Sequence, residues 1–300
     1  MGVSVHKIKK WVNMLLGKSV YHVHQGPGTV YSKTEVAGYY NDLTEKVLRF
    51  GTDEELVPRT TVDTGETIYF SIAVFQYGLA AYDLYLQTKE EKYLKKTIAC
   101  ADWAVDHQEP IGAWDTFSYQ NQQEPYSSMA QGEGISLLIR AYIATQNEEY
   151  LKTAAAAKEY MLLPLQAGGT AGYEGEDVLL YESTDEPVIL NGWIFSLWGL
   201  YDYWKHTKDV STKEILDRTV DSLVRKLDAF DMKYWSKYDA GTRICSPFYH
   251  ELHIAQLRVM YDLFEEAQFL KMANKWESYK NSFWKAKFAF VCKALQKIKE

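Results

Sequence analysis

From residue 68 onward, apolar side chains recur at three- and four-residue intervals, the spacing that lays them along one face of an α-helix. Ile68, Ile72, Phe75, Leu79, Tyr82 and Leu86 mark the first such segment, which ends near Thr88. Tyr93, Thr97, Cys100, Ala101, Ala104 and Val105 mark the second. Further helices are predicted over 129–145, 148–163, 190–207, 213–230, 249–266 and 269–298. The pattern breaks widely at 111–115 and 168–173, but only for a turn at Gln146 and Asn147. Hydrophobic stretches such as 191–204 alternate with charged ones such as 213–226. This cadence predicts a mainly α fold, a single ring of paired helices with apolar members inside and charged ones outside. The long loops would gather at one end around a cleft. A helical solenoid would need a fixed-period repeat, and none stands out.

Residues 18–66 are irregular, with turns at 25–28 and 51–53, and are the one region expected to hold a small sheet. No linker rich in Pro, Ser or Thr divides 67–300, so the expectation is one helical domain with residues 1–66 packed on it. Residues 6–17 join a basic start to a short apolar run with Trp11, Leu15 and Leu16. No small-residue cleavage site follows before His22 and His24, which argues against a signal peptide. An amphipathic packing or surface helix is predicted, with peripheral membrane association as a second option. The expected location is the cytoplasm, including the cytoplasmic face of a membrane.

Composition narrows the function classes. Across 300 residues, 33 Lys and Arg face 40 Asp and Glu, a formal charge of -7 that disfavours a dedicated nucleic-acid binder. Cys100, Cys245 and Cys292 are scattered, and no 18-residue uncharged apolar run provides a membrane span. His250 and His253 are three apart, without the i, i+4 zinc spacing or an obvious third ligand, so no metal is expected. Ser127 lies in no nucleophile elbow and no Gly-rich dinucleotide loop is present, so no cofactor is expected either. The 23 Tyr and 9 Trp suit a carbohydrate cleft, although the same rings also fill helical cores.

Four stretches concentrate polar and aromatic residues: 126–134, 180–193, 234–239 and 246–253. In the first, Tyr126, Gln131 and Glu133 are candidate sugar contacts, and Gly132 and Gly134 permit close backbone approach. Ser127 or Ser128 can equally be a helix cap, and so can Asn191 in the second stretch.

At these residues the chain resembles the D-glucuronyl C5-epimerase family. Residues 126–142 are similar to its aromatic-Ser-Ala-Met-Ala-Gln-Gly segment, and 188–202 to its Val-Leu-Asn-Gly helix. Residues 249–257 are similar to its Tyr-His-x-x-His-Ile segment, and 72–79 to its Gln-Tyr-Gly-Leu helix. The four motifs fall in order over about 69–265. The resemblance implies an (α/α) toroid, a homodimer, and conversion of D-glucuronate to L-iduronate within a polysaccharide. It also implies Tyr181, Tyr238 and Tyr249 as catalytic residues, with Arg243 as the nearest counterpart of the family's arginine. The candidate substrate contacts are Tyr126, Gln131, Glu133, Glu182, Asn191, Arg243, His250 and His253. Leu180 stands where the family carries an acid, which makes Glu182 the candidate substitute. Residues 1–66 are too short for the β-rich regions of the vertebrate enzyme, so the resemblance points to a compact microbial-type relative. Heparan-type specificity is therefore not implied.

Inverting C5 requires removing a proton α to a carboxylate and returning one from the other face. The intermediate gathers negative charge and needs donors or a cation, as in an oxyanion site. Tyrosinate, from a phenol with a pKa near ~10, needs positive charge close by. Arg243 with His250 or His253 would supply it. Tyr181 and Tyr249 are then expected on opposite faces, with Tyr238 orienting the ring. A polysaccharide lyase would use the same proton abstraction. A glycoside hydrolase would use two of Glu133, Glu182 and Asp185, and a non-catalytic glycan-binding domain would use the rings alone.

Overall fold

The computed structural model describes residues 23–49, 52, 54–62 and 64–299. The predicted N-terminal helix with Trp11, Leu15 and Leu16 lies outside them. Four helical hairpins follow in order: α1 (Ser71–Thr88) with α2 (Glu91–His107), α3 (Ser128–Thr145) with α4 (Glu148–Met161), α5 (Leu190–Thr207) with α6 (Val210–Lys226), and α7 (Pro247–Phe264) with α8 (Ala267–Asn281). A last helix, α9 (Phe283–Lys299), follows after one extended residue, Ser282, so the predicted single helix over 269–298 is in fact two.

Helices α1, α3, α5 and α7 form the inner layer. In α3 every residue from Ser128 to Ala141 is buried, whereas α6 buries only Thr212, Leu216, Thr219, Val220, Ser222 and Leu223, a single stripe at helical spacing. Each inner helix packs on its own outer partner, and α1, α3, α5 and α7 follow one another as neighbours. This is the paired-helix architecture of the (α/α) toroid class.

A repeat emerges that the hydrophobic pattern did not reveal. Each inner helix has 18 residues. Each ends on a left-handed residue, Lys89, Gln146, Lys208 or Glu265, with φ of 59–61°. One extended residue then starts the outer helix. In three of the turns a threonine fixes the geometry: Thr88, Thr145 and Thr207 donate to the carbonyl four residues back and accept the N–H two residues on.

Two antiparallel ribbons and short helical turns at Glu45–Leu48, Leu165–Ala167 and Leu227–Phe230 lie between and before the hairpins. β1 (Thr60–Thr61), inside the expected region, pairs with β2 (Thr67–Ile68), which lies just beyond it where the predicted helical spacing begins. β3 (Ala171–Glu174) pairs with β4 (Asp177–Leu180), where the sequence pattern shows only a break.

The segment before α1 is lashed to the C-terminal halves of the inner helices. Arg140 on α3 donates to Asp202 on α5 at 2.6 Å and to the carbonyls of Ala37 and Gly38 at 2.8 and 2.9 Å. Tyr40 donates to the same Asp202 at 2.6 Å, and Asp83 on α1 accepts the Tyr39 N–H at 2.8 Å. Tyr39 and Tyr40 pack on Trp198. That end of the helical layer is thus filled, and the polar loops meet at the other.

Candidate functional site

Two strand-like connections stitch together the loops preceding α5 and α7, and a third closes the latter loop on itself. The Leu190 N–H donates to Tyr238 O, the Ala240 N–H to Val188 O, and the Tyr238 N–H to Arg243 O. Tyr238 is held at this junction. Ser246 caps α7 by accepting the Tyr249 N–H, and Pro247 opens the helix, which places Tyr249 in its first turn.

Glu182, Tyr238, Tyr249 and Arg243 meet here, each half-buried. The Tyr238 and Tyr249 rings pack edge to face with centroids 4.8 Å apart, and their phenols are hydrogen-bonded. Asn191 donates from Nδ2 to Glu182 Oε2 at 3.4 Å. Gly192 permits that approach, since a Cβ there would lie 2.6 Å from Glu182 Cβ. Desolvation raises the Glu182 pKa to about 7, Glu186 adds to the rise, and Arg243 opposes it. Burial and the nearby Glu182 push both phenols up, so they are protonated at neutral pH.

The structure departs from the sequence reading at several residues. The Tyr181 ring lies over Gly172, 2.8 Å from where a Cβ would stand, and lines a separate cavity of about 320 Å³ with Glu174, Lys226 and Phe230. Consecutive residues of an extended chain point to opposite sides. Glu182 lies against Gly192 and Asn191 of α5, whereas the Tyr181 ring packs over Gly172. Tyr126 donates to Glu109 at 2.7 Å and packs edge-on against Tyr160, apart from the Glu182 cluster.

His250 is fully buried. It accepts from Ser236 at Nδ1 (2.7 Å), donates from Nε2 to Trp276 O (3.0 Å) and stacks on Trp235 at 3.6 Å. His253 is equally buried, with Nδ1 3.5 Å from Cys245 Sγ. Desolvation lowers both histidine pKa values to about 3. Neither ring carries the positive charge that a tyrosinate would need.

Arg243 is engaged as well. Its Nε donates to Asp239, and Nη1 and Nη2 donate to Glu186 at 3.0 and 2.7 Å. Its guanidinium lies 5.1 Å from the Tyr238 ring centre.

Gln131 and Glu133 are fully buried, and Glu133 is near enough to Glu182 for their charges to interact. Glu133 accepts from Gln76 at 2.8 Å, and burial raises its pKa well above the usual carboxylate range. Gly132 serves helix packing: a Cβ there would meet Ser196 Cα at 2.5 Å, so α3 and α5 touch backbone to backbone. Asn191 is no cap but sits inside α5, facing Glu182. Sequence reasoning missed Gln76 and Gln256, whose Nε2 donates to Asn191 O at 3.3 Å. The available signal was a lone amide within an apolar inner helix. Among the described residues, no group of three or more His, Cys, Asp and Glu is arranged to hold a metal.

Paired helices with a carboxylate, two phenols and a guanidinium at one rim define the class: a helical-toroid protein with a polar, aromatic cleft. The chain belongs to the D-glucuronyl C5-epimerase C-terminus family, whose model matches residues 106–278. It is 28% identical over 220 residues to a D-glucuronyl C5-epimerase of Caenorhabditis elegans, covering 64% of this chain and 36% of that protein. It is 27% identical over 155 residues to an uncharacterized protein of Methanocaldococcus jannaschii, covering half of each. The chain thus spans between about a third and a half of the length of these relatives. Among solved structures, a UGL variant with dGlcA-Glc-Rha-Glc matches with a TM-score of 0.51 at 13% identity, over 91% of this chain and 82% of that one. An unsaturated glucuronyl hydrolase specific for heparin matches with 0.50 at 12% identity, over 84% and 83%. At these identities the likeness concerns the fold.

Proposed function

We propose that the chain is a uronyl C5-epimerase that inverts D-glucuronate within a polysaccharide, with Glu182 and the Tyr238–Tyr249 pair as its proton-handling groups. The observation that carries this reading is the half-buried Glu182 carboxyl beside the packed Tyr238–Tyr249 pair, with burial raising its pKa to about 7 and keeping both phenols neutral. Ionised Glu182 takes the C5 proton, and the C–H electron pair moves into the substrate carboxylate to give an enediolate. The Tyr249 phenol returns a proton to C5 from the other face, and the electron pair closes the new C–H bond. Tyr238 donates a hydrogen bond to the phenolate that forms. Proton exchange with solvent then resets both groups. The substrate carboxylate displaces Glu186 from the two outer nitrogens of Arg243, whose fork fits a carboxylate bidentately.

This pairing replaces the two-tyrosine scheme. With no cationic histidine beside them, the phenols suit the acid role and the carboxylate the base role. Membership of the epimerase family and the name of the C. elegans relative support the reaction type.

The test is incubation with a glucuronate-containing polymer in deuterated water, followed by NMR. Deuterium at C5 with iduronate formation is expected from the wild type. Glu182→Gln and Tyr249→Phe should each lose at least about 100-fold in inversion, the order expected for removing a general acid or base. Tyr181→Phe should remain within a few-fold of wild type. A product with a C4–C5 double bond would make the chain a lyase and overturn the proposal.

A further inference from the structure

The C-terminal helix α9 has a face with no counterpart elsewhere on the described molecule. Trp284, Phe288, Val291 and Leu295 recur at intervals of four, three and four, which sets them in one stripe. They are 81%, 55%, 53% and 54% exposed, with Phe283 alongside at 65%. The opposite side holds the helix in place. Ala289 is buried, and Gln296 accepts the Ile244 N–H at 2.9 Å while donating to Thr242 O at 3.0 Å. Residues 283–299 contain five of the chain's 33 Lys and Arg and none of its 40 Asp and Glu. An acidic protein presents here a surface that is both apolar and cationic.

We infer that α9 docks the protein onto an anionic lipid surface. The helix lies in the interface plane, with Trp284, Phe288, Val291 and Leu295 in the headgroup–acyl boundary and Lys285 and Lys287 among anionic headgroups. Charge selects this occupant. Pairing α9 with a second copy of itself would bring together two lysine-bearing segments with no acidic residue in either. Covering it with residues 6–17 of the same chain would add Lys7, Lys9 and Lys10, with no acid to offset them. An anionic bilayer satisfies both the apolar stripe and the positive charge. At 17 residues with five lysines, the helix is an interfacial element and not a span. Because Gln296 holds the loop that carries Arg243, docking fixes the cleft relative to the lipid surface.

The experiment is co-sedimentation of the full chain with phosphatidylcholine vesicles, with and without phosphatidylglycerol. Binding is expected only with phosphatidylglycerol and should weaken at high salt. Trp284→Ser with Leu295→Ser should weaken it at least about tenfold, since two large apolar side chains leave the lipid. Both residues are mostly exposed, so unchanged circular dichroism is expected and serves as the folding control. Lys285→Gln with Lys287→Gln should erase the preference for phosphatidylglycerol. Absence of vesicle binding, or wild-type binding by the Trp284/Leu295 variant, overturns the inference. So does a dimer in sedimentation velocity that this variant dissociates while vesicles are ignored, because the stripe would then be a protein interface. These readouts are independent of epimerase activity.

Discussion

Glu182 carries two unfavourable terms at once, desolvation and the nearby Glu186. Its folded-state pKa lies above that of the unfolded chain. The carboxyl is therefore more easily kept protonated in the folded protein, and stability attributable to it is lost as pH rises from about 4.5 to about 7. Activity runs the other way, because a base must be ionised. kcat/KM should rise with unit slope through about pH 7 and stay high until the phenols ionise, above their usual range. Glu182→Gln should raise Tm at pH 8 while abolishing inversion. A lower Tm would show that the carboxylate is a structural anion. His250 and His253 predict a separate acid limit. Their pKa values are lowered by burial, so the unfolded chain takes up protons that the folded one refuses below about pH 6.5. Stability should fall on acidification by up to about 1.4 kcal/mol per pH unit for each ring. Thermal unfolding between pH 7 and 5 reads this slope, and His253→Phe should reduce it.

At the scale of elements, the four hairpins share one turn geometry, and each places a non-glycine residue in the left-handed region. Glu265→Gly should remove that strain and stabilise the α7–α8 turn by about 0.5–1 kcal/mol, read as a higher Tm. Its ion pair with Lys33 is long, at 3.9 Å between exposed groups, and offsets little of the gain. Gly132→Ala should act in the opposite direction. The added methyl meets the α5 backbone, which cannot rotate away, so α3 and α5 must separate at a cost of about 1–3 kcal/mol. Because α5 also carries Asn191 against Glu182, the same variant should lower kcat more than thermal stability alone explains.

Across the whole molecule, the buried Arg140–Asp202 pair joins α3, α5 and the segment before α1, with both side chains fully excluded from solvent. Arg140→Met leaves Asp202 buried with only Tyr40 as partner and should cost about 3–5 kcal/mol. The double variant Arg140→Met/Asp202→Leu should recover part of that loss, which equilibrium denaturation would measure. Helix spacing, the alternation of apolar and charged helices, and the four motifs were all legible along the chain, because periodicity and local composition are properties of neighbouring residues. Glu182 was legible as a candidate through its place beside Leu180. What the chain could not reveal was direction and burial. Whether Tyr181 or Glu182 enters the cleft depends on which side of an extended loop faces α5. Whether a histidine is charged depends on how much protein surrounds it. The break at Ser282 likewise lies inside an unbroken helical pattern. The sequence alone determined a mainly helical, paired-helix protein with polar and aromatic residues concentrated on the loops before α5 and α7. Only the tertiary structure decided that a carboxylate and two protonated phenols meet there, because desolvation and side-chain facing arise when distant segments pack together.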